Sequence, residues 1–123
     1  MQLSDREVKT DVTLVDSGEI LRGVIDLPIT SWSYRSESGI RHVGPMAQDF
    51  HAAFGLGSSD RHIVTIDADG VAFAAIQGLN AKLEQQLTER DGLIAAQRSE
   101  LLLQREQLED LRRIVDTLVK RAR

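Results

Sequence analysis

His42, His51 and His62 carry imidazoles, the side chain most often recruited for acid–base or metal chemistry, and so are the first candidates for either. No two of them stand at the i, i+4 spacing that sets a pair of imidazoles on one helix face for a metal ion. His42 is flanked by Arg41 in a stretch with hairpin character, where a structural or exposed histidine competes with an acid–base one. Asp67-Ala68-Asp69-Gly70 begins like a calcium loop, but Val71 occupies the next ligand position and the glycine arrives too early. Gly44, Gly55, Gly57 and Gly70 lack the strand, glycine and lysine spacing of a dinucleotide or phosphate loop, and read as element boundaries. The expectation is a protein with no cofactor and no metal site.

Composition narrows the classes further. The 123 residues carry 15 Lys+Arg against 19 Asp+Glu, a net charge of −4, with no cysteine and five aromatics (three Phe, one Trp, one Tyr). Residues 1–70 hold six basic and eleven acidic residues, and residues 71–123 hold nine and eight, so the parts carry −5 and +1. An acidic head of seventy residues has room for only a small core. Without cysteine, neither disulfides nor a thiolate metal site can staple it, which leaves oligomerisation. The acidity argues against a general nucleic-acid binder, and Arg112, Arg113, Lys120, Arg121 and Arg123 read as a solvated helix end complementing the dipole. No signal peptide or membrane span is expected, since no stretch approaches the roughly 20 apolar residues a bilayer requires.

The elements that must position any site alternate in the head, giving a small mixed α+β unit. Residues 12–15 read as a short strand. Asp16, with Glu19 three residues on, has capping-box spacing before a helix bearing Ile20, Leu21, Val24 and Ile25, and Leu27-Pro28 ends that helix. Residues 29–35 and 40–43 are β-type runs around Ser36-Glu37-Ser38-Gly39, a four-residue hairpin loop that sets Trp32 and Tyr34 on one face. Gly44-Pro45 opens a second helix with proline in its first turn, and Met46, Phe50 and Phe54 make its apolar stripe. Gly55 and Gly57 close it. Residues 61–66 read as a strand and residues 67–70 as a turn into the last element.

From Val71 to Arg123 no proline occurs, and one heptad frame fits throughout. Position a is Phe73, Asn80, Leu87, Ile94, Leu101, Leu108, Val115 and Ala122; position d is Ile76, Leu83, Arg90, Gln97, Gln104, Leu111 and Leu118. Such a sustained pattern predicts a long helix whose seam is buried by other copies of itself in a parallel coiled coil. The alternative is a helix folded back on its own head. Leu79, Leu93 and Ile114 at g and Val119 at e widen the apolar face, favouring a trimer over a dimer. Gln97, Gln104 and Arg90 are polar layers that fix register at some expense of stability.

Three segments together resemble the intramolecular chaperone domain at the C-terminus of phage endosialidases, tailspikes and neck appendage proteins, the peptidase S74 domain. They are Ser4-Asp5-Arg6-Glu7-Val8-Lys9-Thr10-Asp11, then Arg41-His42-Val43-Gly44-Pro45-Met46-Ala47-Gln48-Asp49-Phe50, then Asp69-Gly70-Val71 through Ala75-Ile76-Gln77-Gly78-Leu79-Asn80-Ala81-Lys82-Leu83. Their order and spacing over almost the whole chain carry the resemblance. It implies a folding aid that assembles as a homotrimer and registers the upstream fibre segment of its own polypeptide, and that in many members then cuts itself off. It also implies work in the cytoplasm during assembly of a phage tail or fibre, the mature parent protein standing on a virion or cell surface.

The resemblance further implies that Ser4 and Lys9 are a serine–lysine pair, with the cut between Leu3 and Ser4. A serine hydroxyl is a weak nucleophile until a base takes its proton, and lysine serves as that base only where burial or nearby positive charge lowers its affinity for protons from the usual pKa of about 10.4. Five residues on a regular helix separate two side chains by about 140°, so a turn between Ser4 and Lys9 is required. The competing interpretation makes Ser4, with Glu7, a capping box and leaves Lys9 solvated. A passive, non-cleaving trimerisation tip of a fibre is the corresponding functional alternative.

Overall fold

The computed structural model describes residues 3–123. A single 3-10 turn, Arg6–Val8, is followed by α1 (Ser17–Asp26), β1 (Thr30–Trp32), β2 (His42–Gly44), α2 (Ala47–Phe54) and α3 (Thr65–Arg121). The small α+β head expected from the sequence is present, and so is the long C-terminal helix. The chain divides into two compact units, Met1–Lys82 and Leu83–Arg123. Among the described residues no helix is long and apolar enough to cross a membrane.

Local signals set α1. The Asp16 carboxylate accepts from the backbone N–H of Gly18 at 2.9 Å and of Glu19 at 3.1 Å, satisfying two of the donors a helix start leaves open. At the other end Leu27, preceding Pro28, leaves the helical region at φ −70°, ψ 121°. β1 and β2 pair antiparallel with Thr30 opposite Gly44, Ser31 opposite Val43 and Trp32 opposite His42. The ladder is shorter and the connection longer than the sequence implied. Residues 33–41 form the loop, folding through two turns closed by Glu37 N–H to Tyr34 C=O (3.0 Å) and Ile40 N–H to Glu37 C=O (3.2 Å). Pro45 precedes α2 instead of lying in its first turn, since Met46 is the cap residue. Gly55 closes α2 in the left-handed region at φ 63°, where glycine has no Cβ to clash.

Two expected strands are absent from these elements. Residues 12–15 are irregular and exposed, and residues 61–64 lead directly into a helix that begins at Thr65. The expected turn at residues 67–70 therefore lies inside α3. Val64 C=O accepts from Asp67 N–H (3.0 Å) and Ala68 N–H (3.1 Å), and Asp67 places negative charge where the helix dipole favours it. These outweigh the few tenths of a kcal/mol of helix propensity that β-branched Thr65 and Ile66 give up.

The core of the head is small: Leu21 of α1, Phe50 of α2, and Val71, Ala74 and Ala75 of α3 are its buried apolar side chains. Phe50 and Phe54, one turn apart, hold their rings 5.0 Å apart in a tilted pair. Close approach is built from glycines. A Cβ at Gly23 would fall 2.6 Å from Phe54 Cε1, and one at Gly78 would collide with the Ser17 backbone carbonyl and lie 3.2 Å from Leu21 Cβ. In the second unit, α3 continues to Arg121 with every described residue exposed. The long helix that the heptad pattern predicts is present.

Candidate functional site

The residues before α1 are shaped by one turn. Asp5, extended at φ −64°, ψ 138°, caps it by accepting from Glu7 N–H at 2.9 Å, and Lys9 leaves it extended at φ −109°, ψ 146°. Its two backbone closures, Val8 N–H to Asp5 C=O at 3.3 Å and Lys9 N–H to Arg6 C=O at 3.2 Å, are long. Beyond Lys9, Asp11 adopts φ 54°, the left-handed region that aspartate tolerates better than most residues. With extended backbone on both sides of a tight turn, the chain doubles back enough for residues five apart to meet. Lys9 Nζ donates to Ser4 Oγ at 2.7 Å.

The capping role considered for Ser4 is taken by Asp5, one residue later, and the serine hydroxyl accepts from Lys9. The distance lies within the range over which a side-chain base exchanges a proton with a nucleophile. Both side chains are exposed, as is Leu3, whose carbonyl precedes Ser4. For the hydroxyl to become a nucleophile the proton must pass to the amine, the reverse of the bond present.

His42 makes no hydrogen bond to Ser4 or Lys9 among the described residues. It stacks on Trp32 (centroids 5.0 Å, 30°) and meets the edge of Tyr34 at 5.3 Å, while Trp32 and Tyr34 pack T-shaped at 4.9 Å. Trp32 Nε1–H donates to Gly44 C=O at 3.3 Å, and Arg41 Nη2–H to Ser31 Oγ at 2.9 Å. The cluster ties the hairpin across its last pair, and His42 Nε2 lies buried within it with no hydrogen-bond partner. Sequence placed Trp32 and Tyr34 on one face; His42 joins them because the ladder sets it opposite Trp32. His51 Nδ1 lies 3.0 Å from Leu56 C=O, an acceptor only, so that nitrogen carries the proton and fastens the chain after α2. His62 is exposed.

A second surface runs along α3. The buried residues Val71, Ala74, Ala75 and Gly78 occupy b, c and f of the heptad frame, and at 100° per residue their mean direction lies about 180° from that of Phe73, Ile76 and Asn80. The head packs on the b, c and f face and leaves the a and d residues open: Phe73 is 67% and Ile76 63% exposed. In the second unit the a and d residues Leu83, Leu87, Ile94, Leu101, Leu108, Leu111, Val115 and Leu118 are likewise exposed, as is every other described residue there. Gln97 and Gln104 interrupt this apolar row, and the Gln104 amide reaches Glu100 Oε1 at 3.4 Å on its own helix.

Residues 4–55, fewer than half of the chain, match the family model Peptidase_S74, described as chaperone of endosialidase. The match spans the Ser4–Lys9 turn, α1, the hairpin and α2; the third sequence segment, residues 69–83, lies outside it. No curated protein matches the chain.

Proposed function

We propose that the chain, residues 4–55 of which match the chaperone-of-endosialidase family model, is an intramolecular chaperone that trimerises through α3 and brings three copies of an attached fibre segment into register. The observation that carries this reading is the division of the first part of α3 into two faces. Between Val71 and Gly78 its b, c and f residues hold the head, and the a and d residues Phe73 and Ile76 remain free for other copies of the same helix. Packing of copies through the a and d residues would bury the seam without displacing Leu21 or Phe50. Widening of the seam by Leu79, Leu93 and Ile114 favours three strands over two.

Such a device solves a kinetic problem. An interwound β-fibre has mostly non-local, intersubunit contacts, folds slowly and exposes strand edges while unassembled. A helix of local contacts associates first and raises the effective concentration of the attached chains to the order of millimolar. On this reading the protein works in the cytoplasm during assembly of a phage tail or fibre, and its parent ends on a virion or cell surface.

The Ser4–Lys9 contact supports self-cleavage as a second step. Lys9, as the free amine, takes the Ser4 hydroxyl proton while Oγ attacks the Leu3 carbonyl carbon. The Leu3–Ser4 C–N bond breaks as the proton passes to the departing Ser4 nitrogen. Water then hydrolyses the Leu3 ester, freeing the Leu3 carboxylate and restoring the Ser4 hydroxyl. Exposure of both side chains in the single chain means that the drier surroundings this chemistry requires come from other chains or the upstream segment. With a long upstream segment attached, the wild-type chain is expected to release a fragment beginning at Ser4, and Ser4→Ala and Lys9→Ala to stay joined. Equal fragment patterns in all three would leave a passive trimerisation tip.

A further inference from the structure

We infer that Asp5 is a positioning residue for the Ser4–Lys9 pair, acting through the turn it caps; the inference rests on the cleavage reading above. Ser4 and Lys9 stand outside the turn, one before its cap and one at its end, so their separation is set by how tightly residues 5–8 close. Three hydrogen bonds do the closing. The two backbone ones, at 3.3 and 3.2 Å, are near the limit of useful geometry, and a three-residue 3-10 turn has no further ladder behind it. The third, Asp5 Oδ1 to Glu7 N–H at 2.9 Å, is the shortest and the only one a substitution can remove without altering the backbone.

The neighbouring chain offers no substitute. Residues 3–10 are exposed, and no hydrogen bond among the described residues links them to α1, the hairpin or α2. Within the single chain no burial holds the turn closed, and opening it separates the hydroxyl from the amine. The same exposure means that loosening the turn leaves the core at Leu21, Phe50 and Val71 intact. Asp5 therefore changes the fraction of chains in which Ser4 and Lys9 meet, and not the stability of the fold.

Asparagine and serine accept at a cap about as well as aspartate, and alanine cannot. The test follows the full chain behind an upstream reporter, measuring the rate at which the fragment beginning at Ser4 appears. Asp5→Ala is expected to slow cleavage about fivefold, the population shift that loss of one cap produces. Asp5→Asn should restore the rate to within about twofold, and the melting temperature should be the same in all three proteins. An unchanged rate in Asp5→Ala overturns the inference, as does Asp5→Asn cleaving as slowly as Asp5→Ala, which would assign the effect to the carboxylate charge. Absence of cleavage in the wild type, or cleavage that persists in Ser4→Ala, overturns the Ser4–Lys9 reading itself and the role of Asp5 with it.

Discussion

Gly78 and Gly92 both lie on α3 at f positions of the heptad frame, and replacing each by alanine separates the head's packing from everything else the helix does. Alanine has the better intrinsic propensity by about 0.8–1 kcal/mol in a helix interior. At Gly92 nothing stands within 4 Å of the added Cβ, so the gain should appear in full, about 1 kcal/mol per chain. At Gly78 the Cβ would collide with Ser17 C=O, lie 2.8 Å from the Ser17 carbonyl carbon and 3.2 Å from Leu21 Cβ. Two of those atoms are backbone and cannot rotate away, so α1 must move off α3, an overpacking cost of about 1–3 kcal/mol. Gly78→Ala should therefore lie about 1–3 kcal/mol below Gly92→Ala in urea denaturation at a fixed chain concentration. Neither position touches the seam, so sedimentation should give the wild-type number of chains for both. Equal stabilisation by the two substitutions would refute the packing of α1 on the b, c and f face of α3, and with it the argument that this face is taken and the seam is free.

Other residues give sharper single outcomes. Phe50→Ala removes the most deeply buried ring of the head and should cost about 3–5 kcal/mol, seen as loss of cooperative head unfolding while the helical signal of the second unit persists. Asp16→Ala should destabilise the head by about 1 kcal/mol and Asp16→Asn by much less, because both bonds to Gly18 and Glu19 are cap bonds; equal losses would assign the effect to charge. Leu101→Asp sets one carboxylate per chain into a single layer of the seam and should shift the assembly to single chains at micromolar concentration in sedimentation. Were Leu101 solvated in the assembly, the substitution would leave the mass unchanged.

What the sequence disclosed follows the range of the interactions. Asp16 and Leu27-Pro28 mark the ends of α1 through bonds and clashes within a few residues, and both were legible. The heptad frame was legible for the same reason, as a property of one helix. Residues 12–15 and 61–66 misled because a β-branched run becomes a strand only beside a partner strand, and the head supplies none to either. Residues 65–66 instead join α3, held by Val64 C=O and the acidic first turn. The site was half legible. Ser4 and Lys9 were identified by resemblance, and the need for a turn between them followed from helix geometry. That Asp5 and not Ser4 caps this turn was hidden, because serine and aspartate are equally good caps and both precede Glu7 at plausible spacing. Nor could the division of α3 into a head-bearing face and a free seam be seen from periodicity alone, since Val71, Ala74 and Ala75 are apolar as well; the silent signal was Gly78, whose missing side chain admits α1.

The central claim is that the open seam of α3 is filled by two further copies of the chain. Sedimentation equilibrium of the full chain in native buffer at micromolar concentration measures this directly. The account predicts a single species of three times the chain mass, and a stable species of one chain mass would contradict it.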